Sequence, residues 1–384
     1  MWLMIAGRIL GGEGLELLGP SRVPVLLLSE TAPSCLKLAA QDFQEDFFEA
    51  TGQSLKIVNQ IPKGNPIILA GVAGQCAFLE SLDATHKTGF EKLHGKWETF
   101  VIEPLADKNI LIVAGSDPRG AMYGLYELSE RLLGTDPLKF WTGHVPDRKD
   151  GLVWRDGTIK EGPPTFQYRG FFINDEDSLL CWKNVDRNVE PEVYEEILGT
   201  ICRLKGNMIA PAMYANYMTG ETRQLVHDRG LFYTASHLEI LLTNPSVGYW
   251  DRFTKANYGK ALPYSFVRHP EEMEAFWRDS VKRHGDYLNV WPIGLRGFDD
   301  RDFSETDEAA PKTVEERAAL TGKSIIVQRK VLAEELPQGE KPLTSLTMRG
   351  EVYEQYKTGQ MNLPEDAMLI WQDSGSDATM PFLP

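Results

Sequence analysis

Nine residues, Tyr168-Arg169-Gly170-Phe171-Phe172-Ile173-Asn174-Asp175-Glu176, read as an apolar strand that ends in an amide and two carboxyl groups. Few placements suit that order. A strand apolar on both faces belongs inside a parallel α/β sheet, where helices cover each face. Polar groups at its C-terminal tip then lie where such folds gather their ligand-binding loops.

Downstream of Gly162-Pro163-Pro164, strand and helix patterns alternate. Strands are predicted at 168–173, 207–210, 231–235, 288–295 and 367–371, and helices at 191–205, 220–228, 270–283, 314–335 and 350–357. The rhythm alone predicts parallel pairing and an α/β protein with a barrel-like second half, to be measured against a complete (β/α)8 barrel of the TIM type. Such a barrel needs eight strands in about 250 residues. The strands found here predict an incomplete barrel, a fragment or truncated gene product, with an apolar edge that another chain would have to cover.

Ahead of it lies an α/β module of its own, with strands at 25–28, 67–70, 100–102 and 110–114 and a helix at 34–50. Its last helix opens at Gly115-Ser116-Asp117-Pro118-Arg119-Gly120, where Ser116 or Asp117 can cap free N–H groups and Pro118 suits the first turn. There is no GxGxxG and no Walker lysine, so the turn reads as structural capping rather than phosphate binding. Tyr123, Tyr126 and Leu128 then read as core or interdomain residues rather than ligand contacts. The expected organisation is an N-terminal domain over 1–141, a linker over 142–164 and a partial barrel over 165–384.

Composition narrows the partners. The 384 residues are 42% hydrophobic and 25% charged, as in a soluble globular protein, and the net charge of −15 with no basic stripe argues against nucleic acid. Cys35, Cys76, Cys181 and Cys202 are scattered without a CxxC pair, which predicts buried thiols and neither a metal site nor a disulfide framework. No cofactor is implied. The apolar start, Met1 to Ala6, is interrupted by Arg8 and followed by glycines, so it reads as neither a signal peptide nor a membrane span.

Candidate chemistry sits at the strand tips: Asn174-Asp175-Glu176, His237-Leu238-Glu239, Arg296-Gly297-Phe298-Asp299-Asp300, and Glu351, which opens a helix ahead of the last strand. Each has a plainer reading. Acids on loops usually face solvent, Arg296 can pair with Asp299 or Asp300, and His237 can be a satisfied loop histidine. Glu239 completes no HExxH motif, and Arg169, at the base of the first strand, reads as a barrel-filling ion-pair residue rather than a ligand.

Two stretches resemble glycoside hydrolase family 115, the xylan α-glucuronidases: Gly115 to Ser129, like the small domain that precedes the barrel, and Tyr168 to Glu176, like the first barrel strand. The resemblance implies hydrolysis of glucuronic or 4-O-methylglucuronic acid side chains from glucuronoxylan or a similar polymer. It implies inversion through two carboxyl groups about 6.5–9.5 Å apart. Glu351 matches the proposed general acid, and Asp300 and Asp175 match the candidates that activate water. The substrate carboxylate calls for Arg296 and His237. Asn174, Glu176, Trp371 and Asp373 complete the implied substrate contacts. Full-length relatives carry C-terminal domains that support dimers, and they usually meet polysaccharide outside the cytoplasm.

Departures cluster where the pocket is expected. Asp177-Ser178-Leu179-Leu180 stands where the family tends to have Ala-Pro-Ala-Leu, Phe298 replaces an Asp, and Asp373-Ser374-Gly375 replaces Asp-Asp-Asn. Two other functions therefore stay open: a non-catalytic carbohydrate-binding descendant, and a barrel glycosidase assisted by the substrate's own acetamido group.

Overall fold

The computed structural model describes residues 14–86, 89–173, 191–211, 220–246, 248–298, 301–337, 339 and 341–371. The chain divides into two units. One comprises Met1–Gly170, Glu190–Asn207 and Gln224–Gly230, and the other Phe171–Val189, Met208–Arg223 and Leu231–Pro384.

Short apolar runs build the first unit. Strands β1 (Leu15–Leu18), β2 (Val25–Leu28), β3 (Lys56–Val58), β4 (Ile67–Val72), β5 (Phe100–Leu105), β6 (Ile110–Gly115), β7 (Leu152–Trp154) and β8 (Ile159–Glu161) make two sheets. The larger runs β3-β2-β4-β6-β5-β8, and the smaller pairs β1 with β7. β3, β2, β4 and β6 are parallel, whereas β5 runs antiparallel to β6 and β8. β2 and β4 are buried throughout, as central strands covered on both faces must be. Residues 142–164, read above as a linker, thus contain β7 and β8.

Helices α1 (Ser34–Thr51), α2 (Ala77–His86), α3 (Pro118–Leu128) and α4 (Pro191–Arg203) accompany these strands. Asp117 caps α3: its Oδ1 accepts the Gly120 N–H at 2.8 Å, and its Oδ2 accepts the Glu98 N–H at 2.6 Å. A Cβ at Gly120 would stand 2.4 Å from the Thr99 carbonyl, so glycine there lets α3 lie on the start of β5. Tyr123 and Tyr126 are buried, as expected for core residues. Cys35, Cys76 and Cys202 are buried and free.

Glu98 is the polar centre of this unit. Its side chain is fully buried; Oε1 accepts from Arg119 Nε at 2.6 Å and Asn207 Nδ2 at 2.8 Å, and Oε2 from Arg169 Nη2 at 2.5 Å. Arg169 also donates to the Lys205 carbonyl, and Arg119 to that of Gly230. Arg169 is therefore an ion-pair residue, as expected, but it pairs with Glu98 within the first unit rather than filling a barrel interior.

The second unit follows the strand-then-helix order. Its strands are β9 (Gly170–Phe172), β10 (Met208–Ala210), β11 (Phe232–Tyr233), β12 (Val290–Pro292), β13 (Leu343–Met348) and β14 (Met368–Trp371). They form two three-stranded sheets, β11-β10-β9 and β12-β13-β14, and a parallel bridge from Tyr233 to Asn289 joins them. The pairs β10–β11, β12–β13 and β13–β14 are parallel. The helices are α5 (Gly220–Asp228), whose residues from Gln224 onward belong to the first unit, α6 (Tyr249–Tyr258), α7 (Pro270–His284), α8 (Val314–Glu335) and α9 (Glu351–Lys357). β13 and α6 were not anticipated. Glu351 opens a helix, as expected, and β13 places that helix directly after a strand.

Candidate active site

Three strands of the second unit deliver chemistry at their C-terminal ends. β11 runs on to His237 and Glu239, β12 to Gly294 and Arg296, and β13 to Arg349, Gly350 and Glu351. A small recess opens among them, lined by His237, Ile240, Gly294, Arg296, Leu346 and Arg349. Arg349 Nη1 lies 3.1 Å from His237 Nε2, so an unexpected guanidinium joins the two predicted carboxylate binders.

Arg296 is 5% exposed and forms an ion pair with Asp302. Sequence reasoning offered Asp299 or Asp300 for that pair, both outside the described residues, and overlooked Asp302. The second oxygen of Asp302 accepts the Glu351 N–H at 3.2 Å. Glu351 is buried, with Oε1 accepting the Ser304 N–H at 3.4 Å and Oε2 lying 3.4 Å from Arg317 Nε.

Helix α8 supports both loops through one polar face. Arg317, Thr321, Ser324 and Gln328 recur at spacings of four, three and four, which sets them in line on a helix. Gln328 bonds both polar groups of the Gly294 peptide, at 2.9 and 2.6 Å. Ser324 Oγ donates to the same carbonyl at 3.3 Å, and Thr321 Oγ1 donates to Gln355 Oε1, one turn beyond Glu351, at 2.7 Å. Thr313 caps the helix with Glu316 in a capping box, which fixes its start. Backbone N–H and C=O groups buried at a strand tip need such partners.

Glu239 is fully buried, and burial lifts its carboxyl to about 7, with Arg223 and the Ser236 backbone pulling the other way. Trp371 ends β14, partly exposed, its ring 5.9 Å from Tyr353 and 6.1 Å from Tyr356. Asn174, Asp175, Glu176, Asp300 and Asp373 lie outside the described residues. Among the described residues no group of three His, Cys, Asp or Glu side chains is placed to hold a metal.

A family model for glycosyl hydrolase family 115 matches residues 161–382. No curated protein matches the sequence. Among solved structures, the fold is similar to BtGH115A, a family GH115 4-O-methyl-α-glucuronidase with specificity for decorated arabinogalactans. The two are 26% identical with a TM-score of 0.79, and the match covers 94% of this chain and 46% of that one. It is also similar to a GH20 exo-β-N-acetylglucosaminidase from Vibrio harveyi, 10% identical with a TM-score of 0.50, covering 94% of this chain and 56% of that one, a likeness of fold alone.

Proposed function

This chain belongs to glycosyl hydrolase family 115, and on that premise we propose that it hydrolyses glycosidic bonds to glucuronic or 4-O-methylglucuronic acid side chains, by inversion. The polymer is a glucuronoxylan or, as the specificity of BtGH115A suggests, a decorated arabinogalactan. In this reading β9 to β14, following one another in sequence order, are consecutive strands of a (β/α)8 barrel whose C-terminal tips make the site. The observation that carries it is the convergence of Arg296 and Glu351, from successive strands, on the carboxylate of Asp302.

Glu351 is the general acid, and Asp300 or Asp175 the base that activates water. Arg296, Arg349 and His237 hold the uronate carboxylate, a planar anion that guanidinium groups bind through paired, charge-assisted hydrogen bonds. Asn174, Glu176, Trp371 and Asp373 line the sugar. Incubation with glucuronoxylan and with arabinogalactan, beside a folded Glu351→Gln variant, tests the reading by release of free uronic acid. Loss of an acid catalyst should lower turnover by roughly 10²–10⁴-fold.

One observation favours a second reading, carbohydrate binding without turnover. The Glu351 side chain is 5% exposed and turned to Arg317 and Ser304. Sugar binding by calorimetry with no release by the folded wild type would select it.

A further inference from the structure

Asp302 engages both strand-tip segments at once. Its Oδ1 accepts from Arg296 Nη1, and its Oδ2 accepts the Glu351 N–H at 3.2 Å. That N–H begins α9, where a helix leaves donors without internal partners. Two residues on, the Ser304 N–H reaches back to Glu351 Oε1 at 3.4 Å. The 302–304 turn thus holds Glu351 by backbone and side chain together.

Gly350 makes the approach possible. Its backbone is at φ 56°, ψ −129°, and a Cβ there would stand 2.7 Å from Asp302 Oδ1 and 3.4 Å from Arg296 Nη1. A side chain at 350 would press on both members of the pair. The Asp302–Arg296 pair thus occupies the space that a side chain at 350 would need.

From this geometry we infer that Asp302 is a positioning residue: it couples Glu351, the proposed acid, to Arg296, the proposed carboxylate binder, across the gap left by Gly350. The inference rests on the functional reading above for the roles of those two residues. The coupling itself belongs to the loops. Asp302 acts through the groups it holds, so displacement of the Arg296 guanidinium is transmitted to the Glu351 backbone through a single carboxylate.

Hydrogen exchange of the full chain, read by mass spectrometry on the peptide covering 349–353, tests the coupling without requiring turnover. Asp302→Asn, Asp302→Ala and Gly350→Ala variants of intact circular dichroism are compared with the wild type. Loss of a charge-assisted bond should speed exchange at the Glu351 amide by about tenfold to a hundredfold. Release of uronic acid is followed on the same proteins. Coupling predicts that KM rises and kcat falls together, whereas a smaller folded fraction lowers kcat alone.

Exchange within twofold of the wild type in all three variants, or a loss confined to kcat, overturns the inference. A wild type that releases nothing while exchange responds as expected would fail the functional reading and leave the coupling standing. Release by the wild type with unresponsive exchange would do the reverse.

Discussion

The side-chain amide of Gln328 brackets the Gly294 peptide, accepting its N–H at 2.9 Å and donating to its carbonyl at 2.6 Å. Gln328 is wholly buried, and Gly294 sits at φ 126°, where a Cβ would lie 2.8 Å from Leu346 Cδ1. The end of β12 is thus held two residues before Arg296. Gln328→Leu, close in volume, strands a buried N–H and weakens the carbonyl's bonding, and should lower stability by about 2–3 kcal/mol in urea denaturation. A change under about 0.5 kcal/mol would show that the peptide finds other partners.

Glu98 makes a second test, in the other unit. Its fully buried carboxylate balances Arg119 and Arg169 and accepts from Asn207. Removing one member of a buried ionic cluster leaves charge uncompensated, so Glu98→Ala should cost about 3–5 kcal/mol. Glu98→Gln, which keeps the shape, should fall between that variant and the wild type. Equal stabilities of the three by guanidinium denaturation would contradict the arrangement.

Acid should act on the second unit through two buried groups of opposite sense. Glu239 is raised from 4.5 to about 7, so the folded state holds its proton between those values and stability falls as pH rises through them. Burial, reinforced by Arg223 and Arg283, pushes His284 from 6.5 to about 3, so the unfolded state holds that proton and stability rises with pH across that interval. Between pH 4.5 and 6.5 the two slopes cancel. Glu239→Gln should uncover the histidine slope, about 1.4 kcal/mol per pH unit, and be more stable than wild type at pH 8 by about 3 kcal/mol. Parallel stability curves for the two proteins from pH 4.5 to 6.5 would refute this.

Arg349 supplies a test of substrate charge. It lines the recess with Arg296 and lies 3.1 Å from His237. Under the proposed function, Arg349→Met should raise KM for a uronate-bearing oligosaccharide about tenfold and change kcat less, as expected when one charge-assisted contact is removed. An unchanged KM would take the carboxylate away from Arg349.

Much of this arrangement was legible in the residues, and the failures have physical reasons. Long apolar runs such as Ile67–Val72 announce themselves, and Asp117-Pro118 marks the start of α3 by capping chemistry alone. β13 was missed because Leu343–Met348 carries Thr344 and Ser345, which are buried here but read as a polar connector. Arg349 went unnoticed with it, since the tip of an unseen strand attracts no attention. Asp302 lies two residues beyond the acids that the resemblance singled out, and its importance comes from a contact 49 positions away that no local pattern encodes. The Arg317-Thr321-Ser324-Gln328 face was hidden for a related reason, because polar residues in helical register usually mark a solvated side.

The division of the chain has a consequence for its history and handling. The first unit takes Glu190–Asn207 and Gln224–Gly230 from beyond the start of the second, so the polypeptide passes between the two repeatedly. No single cut in the backbone releases either one whole. A gene fusion or recombination event joining this leading module to a new partner at one crossover would leave α4 behind, along with Arg203, which holds Asp46 of α1 through two hydrogen bonds. Neither unit can therefore be moved or excised as one continuous stretch of sequence.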